Sequence, residues 1–267
     1  MIKTILLTGA TDGIGLLTAE ILATEGHALL LHGRNEEKLR AVKEKLSAVN
    51  PSAKVETYKA DLSVFAEVKA MADEILKNHD SIDGIINNAG VFVVETDEVM
   101  TVDGVDIRFA VNTIAPYILT KKLLPIVAEN GRIVNLSSAA QAPVNLEKIQ
   151  NQKPFFHDEA YAQSKLAITM WSMSLADSSE VKKKNIVVVA VNPKSFLGSK
   201  MVKTAYGKEG YDLKIGADIL IEAMCSEKFA DANGKYYDND TCRFAKPHSY
   251  ALIETHRNVL MEYLNMF

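Results

Sequence analysis

The chain has 267 residues, 48% of them hydrophobic and 24% charged, with a formal net charge of -4. That is the profile of an ordinary globular protein with a sizeable core, and its acidic balance argues against nucleic acid as a partner. No apolar run approaches the roughly 18 residues needed to cross a bilayer, and Met1-Ile2-Lys3-Thr4-Ile5 lacks the layout of a signal peptide, so the expectation is a cytoplasmic protein without a membrane span.

Strands are predicted at Ile2–Thr8, Ala28–His32, Lys54–Lys59, Gly84–Asn87, Arg132–Leu136 and Ile186–Val191. Helices are predicted between and after them at Ile14–Glu25, Glu36–Val49, Val64–Asn78, Val105–Ala128, Glu159–Asp177, Tyr211–Met224 and His248–Tyr263. Ile5-Leu6-Leu7, Leu29-Leu30-Leu31 and Val187-Val188-Val189 are continuously apolar, as parallel strands covered on both faces must be. The reading is a single doubly wound α/β domain over 1–267, with no linker or repeat.

Two segments interrupt the alternation, roughly 140–158 with Pro143 and Pro154, and roughly 193–210 with Gly198, Gly207 and Gly210. Both follow strand C-termini, the edge at which open α/β sheets bind ligands, so they are the expected walls and lid of a substrate pocket. Cys225 and Cys242 have neither metal-ligand spacing nor a histidine partner nearby, and no metal site is expected.

Between the first strand and first helix lies Thr8-Gly9-Ala10-Thr11-Asp12-Gly13-Ile14-Gly15. Glycines there permit a tight turn and close approach of backbone N–H groups to phosphate, with the helix N-terminus adding its unpaired donors. The second strand ends His32-Gly33-Arg34-Asn35, without the carboxylate that would bind free ribose hydroxyls. The Arg34 guanidinium suits a 2′-phosphate instead, which favours NADP over NAD.

Tyr161-Ala162-Gln163-Ser164-Lys165 sets a phenol and an ammonium four residues apart, on one helix face. A nearby cation favours phenolate and brings the group toward acid/base chemistry. Taken together, Thr8 to Gly15, Asn87-Asn88-Ala89-Gly90, Asn112, Asn135-Leu136-Ser137-Ser138 and Tyr161 to Lys165 resemble the short-chain dehydrogenase/reductase family, in particular its retinol dehydrogenase-like and protochlorophyllide reductase-like branches.

The resemblance implies a Rossmann-like subunit with a mainly parallel sheet of about seven strands. It implies that Tyr161 exchanges a proton with a carbonyl or alcohol oxygen, that Ser138 hydrogen-bonds this oxygen, and that hydride passes between nicotinamide and carbon. Lys165 would lower the tyrosine pKa and hold the nicotinamide ribose, and Asn112 would sustain a proton relay. Gly9, Thr11, Asp12, Gly13, Ile14, Gly15, Arg34 and Asn35 would hold the dinucleotide, with Asp61 and Leu62 beside the adenine and Asn87, Asn88, Ala89 and Gly90 supporting it from the fourth strand. Asp61 has the alternative of a helix cap, and Asn87 that of satisfying backbone at a strand end. Ser138 is chosen over Ser137 by register, since neighbours on a strand point to opposite faces.

One position departs from the family pattern. After the sixth strand the family has Pro-Gly, turning the chain under the nicotinamide carboxamide; here the pair is Pro193-Lys194, and the candidate amide contacts shift to Ser195, Phe196 and Ser199. The rival to a small-molecule carbonyl/alcohol oxidoreductase is therefore a dinucleotide sensor of the same fold. Phe155 and Phe156, in the first long loop, either face an apolar or ring-containing substrate or anchor the loop. Family members are commonly homodimers or homotetramers, and the sequence leaves the oligomeric state open.

Overall fold

The computed structural model describes residues 2–92 and 99–267. In chain order its elements are β1 (Thr4–Leu7), α1 (Gly13–Thr24), β2 (Ala28–Gly33), α2 (Glu36–Val49), β3 (Val55–Lys59), α3 (Phe65–Asn78) and β4 (Ile82–Asn87). There follow α4 (Ile107–Phe109), a π-turn at Ala110–Ile114, α5 (Ala115–Leu123), β5 (Val127–Leu136), α6 (Leu146–Gln150), α7 (His157–Ala176) and α8 (Ser179–Lys183). The chain continues through β6 (Val187–Asn192), α9 (Lys200–Tyr206), α10 (Leu213–Cys225), β7 (Tyr236–Asp238), β8 (Arg243–Ala245) and α11 (Glu254–Leu264).

Eight strands form one sheet in the order β3-β2-β1-β4-β5-β6-β7-β8, parallel except for β8, which runs antiparallel to β7. The chain winds outward from β1 to β3, then returns to lay β4 on the other side of β1. At that reversal the loops after β1 and β4 diverge to opposite faces and open a crevice at the strand C-termini.

The apolar triplets divide between two cores because successive side chains point to opposite faces. Ile5, Leu7, Leu29, Leu31, Val187 and Val189 join Leu22 of α1, Leu46 of α2 and Leu220 of α10. Leu6, Leu30 and Val188 join the other core, with Ile75 of α3, Ile118 of α5, Trp171 of α7 and Leu260 of α11. Each fully buried side chain of this kind contributes roughly 1.5–3 kcal/mol, so the sheet is stabilised from both sides and the crevice has a rigid floor.

The structure corrects the sequence reading at several elements. The sheet has an eighth strand, and β7 and β8 were invisible because three residues each are too few for alternation to register. The single helix expected over Val105–Ala128 is interrupted by the π-turn, restarts at α5 with Pro116 in its first turn, and is over before Val127, where β5 begins. Its apolar pattern is nearly unbroken, so periodicity alone could not reveal the change of winding. Both long loops carry helices, α6 capped by Asn145 and α9 capped by Ser199. The final helix begins at Glu254, after a short 3-10 turn at Ser249–Leu252. Among the described residues no helix is long and apolar enough to cross a membrane.

Candidate active site

A cavity of about 640 Å³ runs along the C-terminal edge of the sheet, from Arg34 and Lys38 beyond β2 to Tyr161 and Lys165 of α7. Gly9, Thr11, Asp12, Gly13, Ile14, Gly15, Asn35, Asp61, Leu62, Asn88, Ala89, Gly90 and Pro193 also line it.

At the β1 end, close packing leaves no choice of residue. A Cβ on Gly15 would lie 2.1 Å from the Gly9 carbonyl oxygen and 2.5 Å from Asn88 Nδ2. Asn88 Nδ2 donates to the Thr8 and Gly9 carbonyls at 2.9 and 3.2 Å, fastening the β4 loop to the glycine turn. The Asp12 carboxylate accepts from Gly13 N–H as the α1 cap, so its charge is directed at the helix start. His32 lies beneath this turn, Nδ1 accepting from Gly9 N–H at 3.3 Å and Nε2 donating to the Ala60 carbonyl at 3.0 Å. Burial lowers the His32 pKa, against weaker opposing effects of the Ala60 carbonyl and Asp61.

Beyond β2, Arg34 is exposed, and the Asn35 side chain caps α2 by accepting from Lys38 N–H. Asp61 lines the cavity and does not take the alternative duty of a helix cap: α3 is entered at Val64 without a side-chain cap, and the Asp61 carboxylate instead accepts from the N–H and hydroxyl of Ser63. Asn87 does not line the cavity: its Nδ2 donates to Thr120 Oγ1 and Asn135 Oδ1, tying β4 to α5 and β5 within the core.

At the other end Tyr161 and Lys165 share a face of α7, with Lys165 Nζ 5.7 Å from the Tyr161 ring centroid. The ammonium donates to the Leu136 carbonyl at 2.7 Å, at the C-terminus of β5. Burial lowers the Lys165 pKa to about 8. The Tyr161 phenol is raised, chiefly by burial, and the Ser138 hydroxyl offsets part of the rise. The depression expected from Lys165 is absent: burial sets the direction, with Tyr206 adding to it, and the Phe92 ring lies tilted against Tyr161 at 4.6 Å between centroids.

Ser138 and Ser137 point apart. Ser137 lines the cavity, but its Oγ donates to the Lys165 carbonyl at 3.1 Å and bonds Thr169 Oγ1, whereas Ser138 does not line the cavity, its hydroxyl bonding Tyr161 and accepting from Ala140 N–H. Asn112, in the π-turn, donates from Nδ2 to the Val91 carbonyl and Ser164 Oγ and accepts on Oδ1 from Val91 N–H. It therefore joins the loop after β4 to α7, behind Gly90. The extra residue of a π-turn widens the backbone there, a feature frequent at functional sites. Arg108, fully buried, pairs with Asp106 through Nε and Nη2 and donates from Nη1 to His157 Nδ1 at 2.6 Å. That contact anchors the first turn of α7, one turn ahead of Tyr161.

With this geometry in view, the model of the short chain dehydrogenase family matches residues 3–210. The chain is a short-chain dehydrogenase/reductase. Retinol dehydrogenase 12 of Mus musculus is 31% identical over 250 residues, spanning 89% of this chain and 78% of that protein. Short-chain dehydrogenase TIC 32 A, chloroplastic, of Brassica napus is 27% identical over 281 residues, spanning 97% of this chain and 87% of that protein. Among solved structures, a short chain dehydrogenase of Shigella flexneri 2a complexed with NADP superposes with a TM-score of 0.70 at 26% identity, covering 89% of this chain and 97% of that one. A short chain dehydrogenase of Escherichia coli CFT073 complexed with NADPH gives the same TM-score at 27% identity, covering 89% and 96%. This short-chain dehydrogenase/reductase, of the retinol dehydrogenase-like branch, is accordingly an NAD(P)-dependent oxidoreductase with a Rossmann-like fold.

Ser195, Phe196 and Ser199 line the cavity as the sequence suggested, and several further residues in or beside the dehydrogenase's cleft were not singled out there. Lys38, one helical turn beyond Arg34, lines the cavity as a second cation, and the i, i+4 spacing from Arg34 into α2 was the available clue. Phe92, Phe196, Met201 and Tyr206 form an apolar wall opposite Tyr161, with Phe92–Tyr206 and Phe196–Tyr206 ring centroids 5.8 and 5.4 Å apart. Tyr236, from the unforeseen β7, donates to the Ser138 carbonyl at 3.1 Å. Phe155 packs on Phe109 in the core, whereas Phe156 is exposed; neither lines the cavity.

Proposed function

We propose that this oxidoreductase is NADP-dependent and interconverts a small apolar or ring-bearing carbonyl compound and its alcohol, with Tyr161 as the general acid or base. The observation that carries the reading is the continuity of one cavity from two cations, Arg34 and Lys38, to the Tyr161 phenol. A dinucleotide fits this cradle: the Gly9–Gly15 turn has no room for a Cβ at Gly15, and α1 presents its N-terminus there. Arg34 and Lys38 would hold a 2′-phosphate, since no carboxylate ends β2 and Asn35 is engaged as a cap. When bound, the nicotinamide supplies or takes up the hydride.

The protein's own part is proton handling and orientation. A phenol with a raised pKa stays protonated at neutral pH and can donate to a developing alkoxide, and Ser138 is placed to donate a hydrogen bond to the same oxygen. Lys165, held on the Leu136 carbonyl, would bring a positive charge to this end of the cavity, and Asn112 ties the Val91 backbone to Ser164 beside it. The wall of Phe92, Phe196, Met201 and Tyr206 excludes water and favours apolar ligands.

The test follows nicotinamide absorbance with NADPH and then NADH against a panel of aldehydes, ketones and quinones. Oxidation favouring NADPH, abolished in Tyr161→Phe, supports the proposal, and Arg34→Ala with Lys38→Ala should weaken NADPH at least about tenfold while leaving NADH nearly unchanged. Tight NADPH binding by the native protein with no carbonyl reduced would turn the reading toward a sensor.

A further inference from the structure

Lys194 stands where the family has glycine, and its backbone has a conformation that favours glycine. Its φ is 121°, whereas the other positive φ angles of non-glycine residues among the described residues lie between 51° and 59°. Those fall in the left-handed region that L-residues visit at modest cost; 121° belongs to territory essentially reserved for glycine. Left to itself, a lysine would relax out of it and take the turn with it. Pro193, Lys194, Ser195 and Phe196 all line the cavity beside Tyr161 and Lys165, so such relaxation would deform the catalytic end.

The turn is held from outside. Asp240, in the connection between β7 and β8, does not line the cavity, but its carboxylate accepts from Ser195 N–H at 3.0 Å and from the Ser195 hydroxyl at 2.6 Å. Asn192 Nδ2 donates to both Asp238 Oδ1 and Asp240 Oδ2, at 2.8 and 2.9 Å, and Asn192 Oδ1 faces Lys194 N–H at 3.4 Å. Asn239 Nδ2 donates to the Pro193 carbonyl at 3.0 Å. Polar groups on both sides of Lys194 are thus fixed by one short connection whose own strands are only three residues long.

We propose that Asp240 is a positioning residue for the oxidoreductase reaction: through Ser195 and Asn192 it compensates for the missing glycine, holding the Pro193–Ser195 turn in the shape the nicotinamide end of the site requires. Burial alone would raise the Asp240 carboxyl, but the Ser195 and Asn192 hydrogen bonds and the Lys194 charge together hold it below the usual carboxylate range. The inference rests on the family's dinucleotide-dependent activity; the proposed carbonyl substrate enters only as the choice of assay probe.

The experiment is a double-mutant cycle on the full chain: native, Asp240→Ala, Lys194→Gly and the double variant. Each is titrated with NADPH, and with the adenosine bisphosphate fragment of NADPH that lacks the nicotinamide, and then assayed for reduction of phenanthrenequinone. Asp240→Ala should weaken NADPH or lower kcat about tenfold in the native background, and about twofold or less with glycine at 194, which adopts the turn unaided. The fragment's affinity should be the same in all four, since it does not reach the turn. Equal losses in both backgrounds, or equal losses for NADPH and the fragment, would overturn the proposal. Should Asp240→Ala fail to fold, Ser195→Ala removes one of the two contacts and should give about a threefold loss with the same dependence on residue 194; no loss overturns it equally. If the native protein binds NADPH but leaves the quinone untouched, the carbonyl reading fails while the NADPH and fragment titrations still judge Asp240.

Discussion

Replacing Lys165 with methionine should make the protein more stable and nearly inactive. The Lys165 ammonium is 4% exposed and has its pKa lowered by burial from 10.5 to about 8. At about 1.4 kcal/mol per pKa unit, that difference corresponds to about 3 kcal/mol favouring the neutral amine in the folded state. The sign follows from which state holds the proton more tightly. Below about pH 8 both states are protonated and the folded chain carries the whole penalty; as pH rises from about 8 toward 10.5 the folded amine deprotonates first and the penalty fades. Methionine keeps an unbranched stem of similar length but forfeits the charge-assisted bond to the Leu136 carbonyl, a loss of about 2 kcal/mol. The net gain near pH 7 is about 1 kcal/mol, or about 2 °C in Tm for a chain of this size. Carbonyl reduction by the variant should fall by at least about a hundredfold. Calorimetry at about pH 7 and about pH 9.5 checks the argument, because the gain must shrink at the higher value. A variant no more stable than the native protein at neutral pH, or equally stabilised at both values, refutes it.

Other consequences are equally direct. Gly15→Ala should abolish dinucleotide binding and cost about 3 kcal/mol in urea unfolding, since its Cβ meets backbone at 2.1 Å. Gly13→Ala, with φ of 54° but no atom within 4 Å, should cost about 1 kcal/mol, and similar penalties at the two positions would contradict the packing account. Because the His32 pKa is lowered in the folded state, its contribution to stability is present above the unfolded pKa of about 6.5 and lost as pH falls through that value. The fall in Tm between about pH 7 and pH 5 should therefore be shallower in His32→Gln, with His27, shifted the same way by burial, supplying part of what remains. Asp106→Asn leaves the buried Arg108 guanidinium without its charge partner, and a loss of about 3–5 kcal/mol is expected, measured by chemical denaturation.

The sheet and most of its helices were legible because their physics is local. Continuous apolar triplets in short runs fit strands covered on both faces, and their alternation with longer segments of helical periodicity points to a doubly wound fold. The phosphate turn was legible for the same reason: Gly9, Gly13 and Gly15 sit at one strand-to-helix junction and need no distant partner to be noticed. Tyr161 and Lys165 needed only helical spacing, and the family resemblance supplied their roles.

Tertiary structure alone decided the rest. That the Tyr161 pKa goes up rather than down depends on how completely Phe92 and the loops desolvate the ring, and neither is near it in sequence. His32 and Tyr236 entered the description through contacts with segments far along the chain, and the three-residue strands exist because β6 is there to pair with β7, and β7 with β8. A lysine where the family has glycine reads as a defect in sequence. In space it is a strained turn braced by Asp240, because hydrogen bonds from a separate element can hold a φ that the residue would not choose.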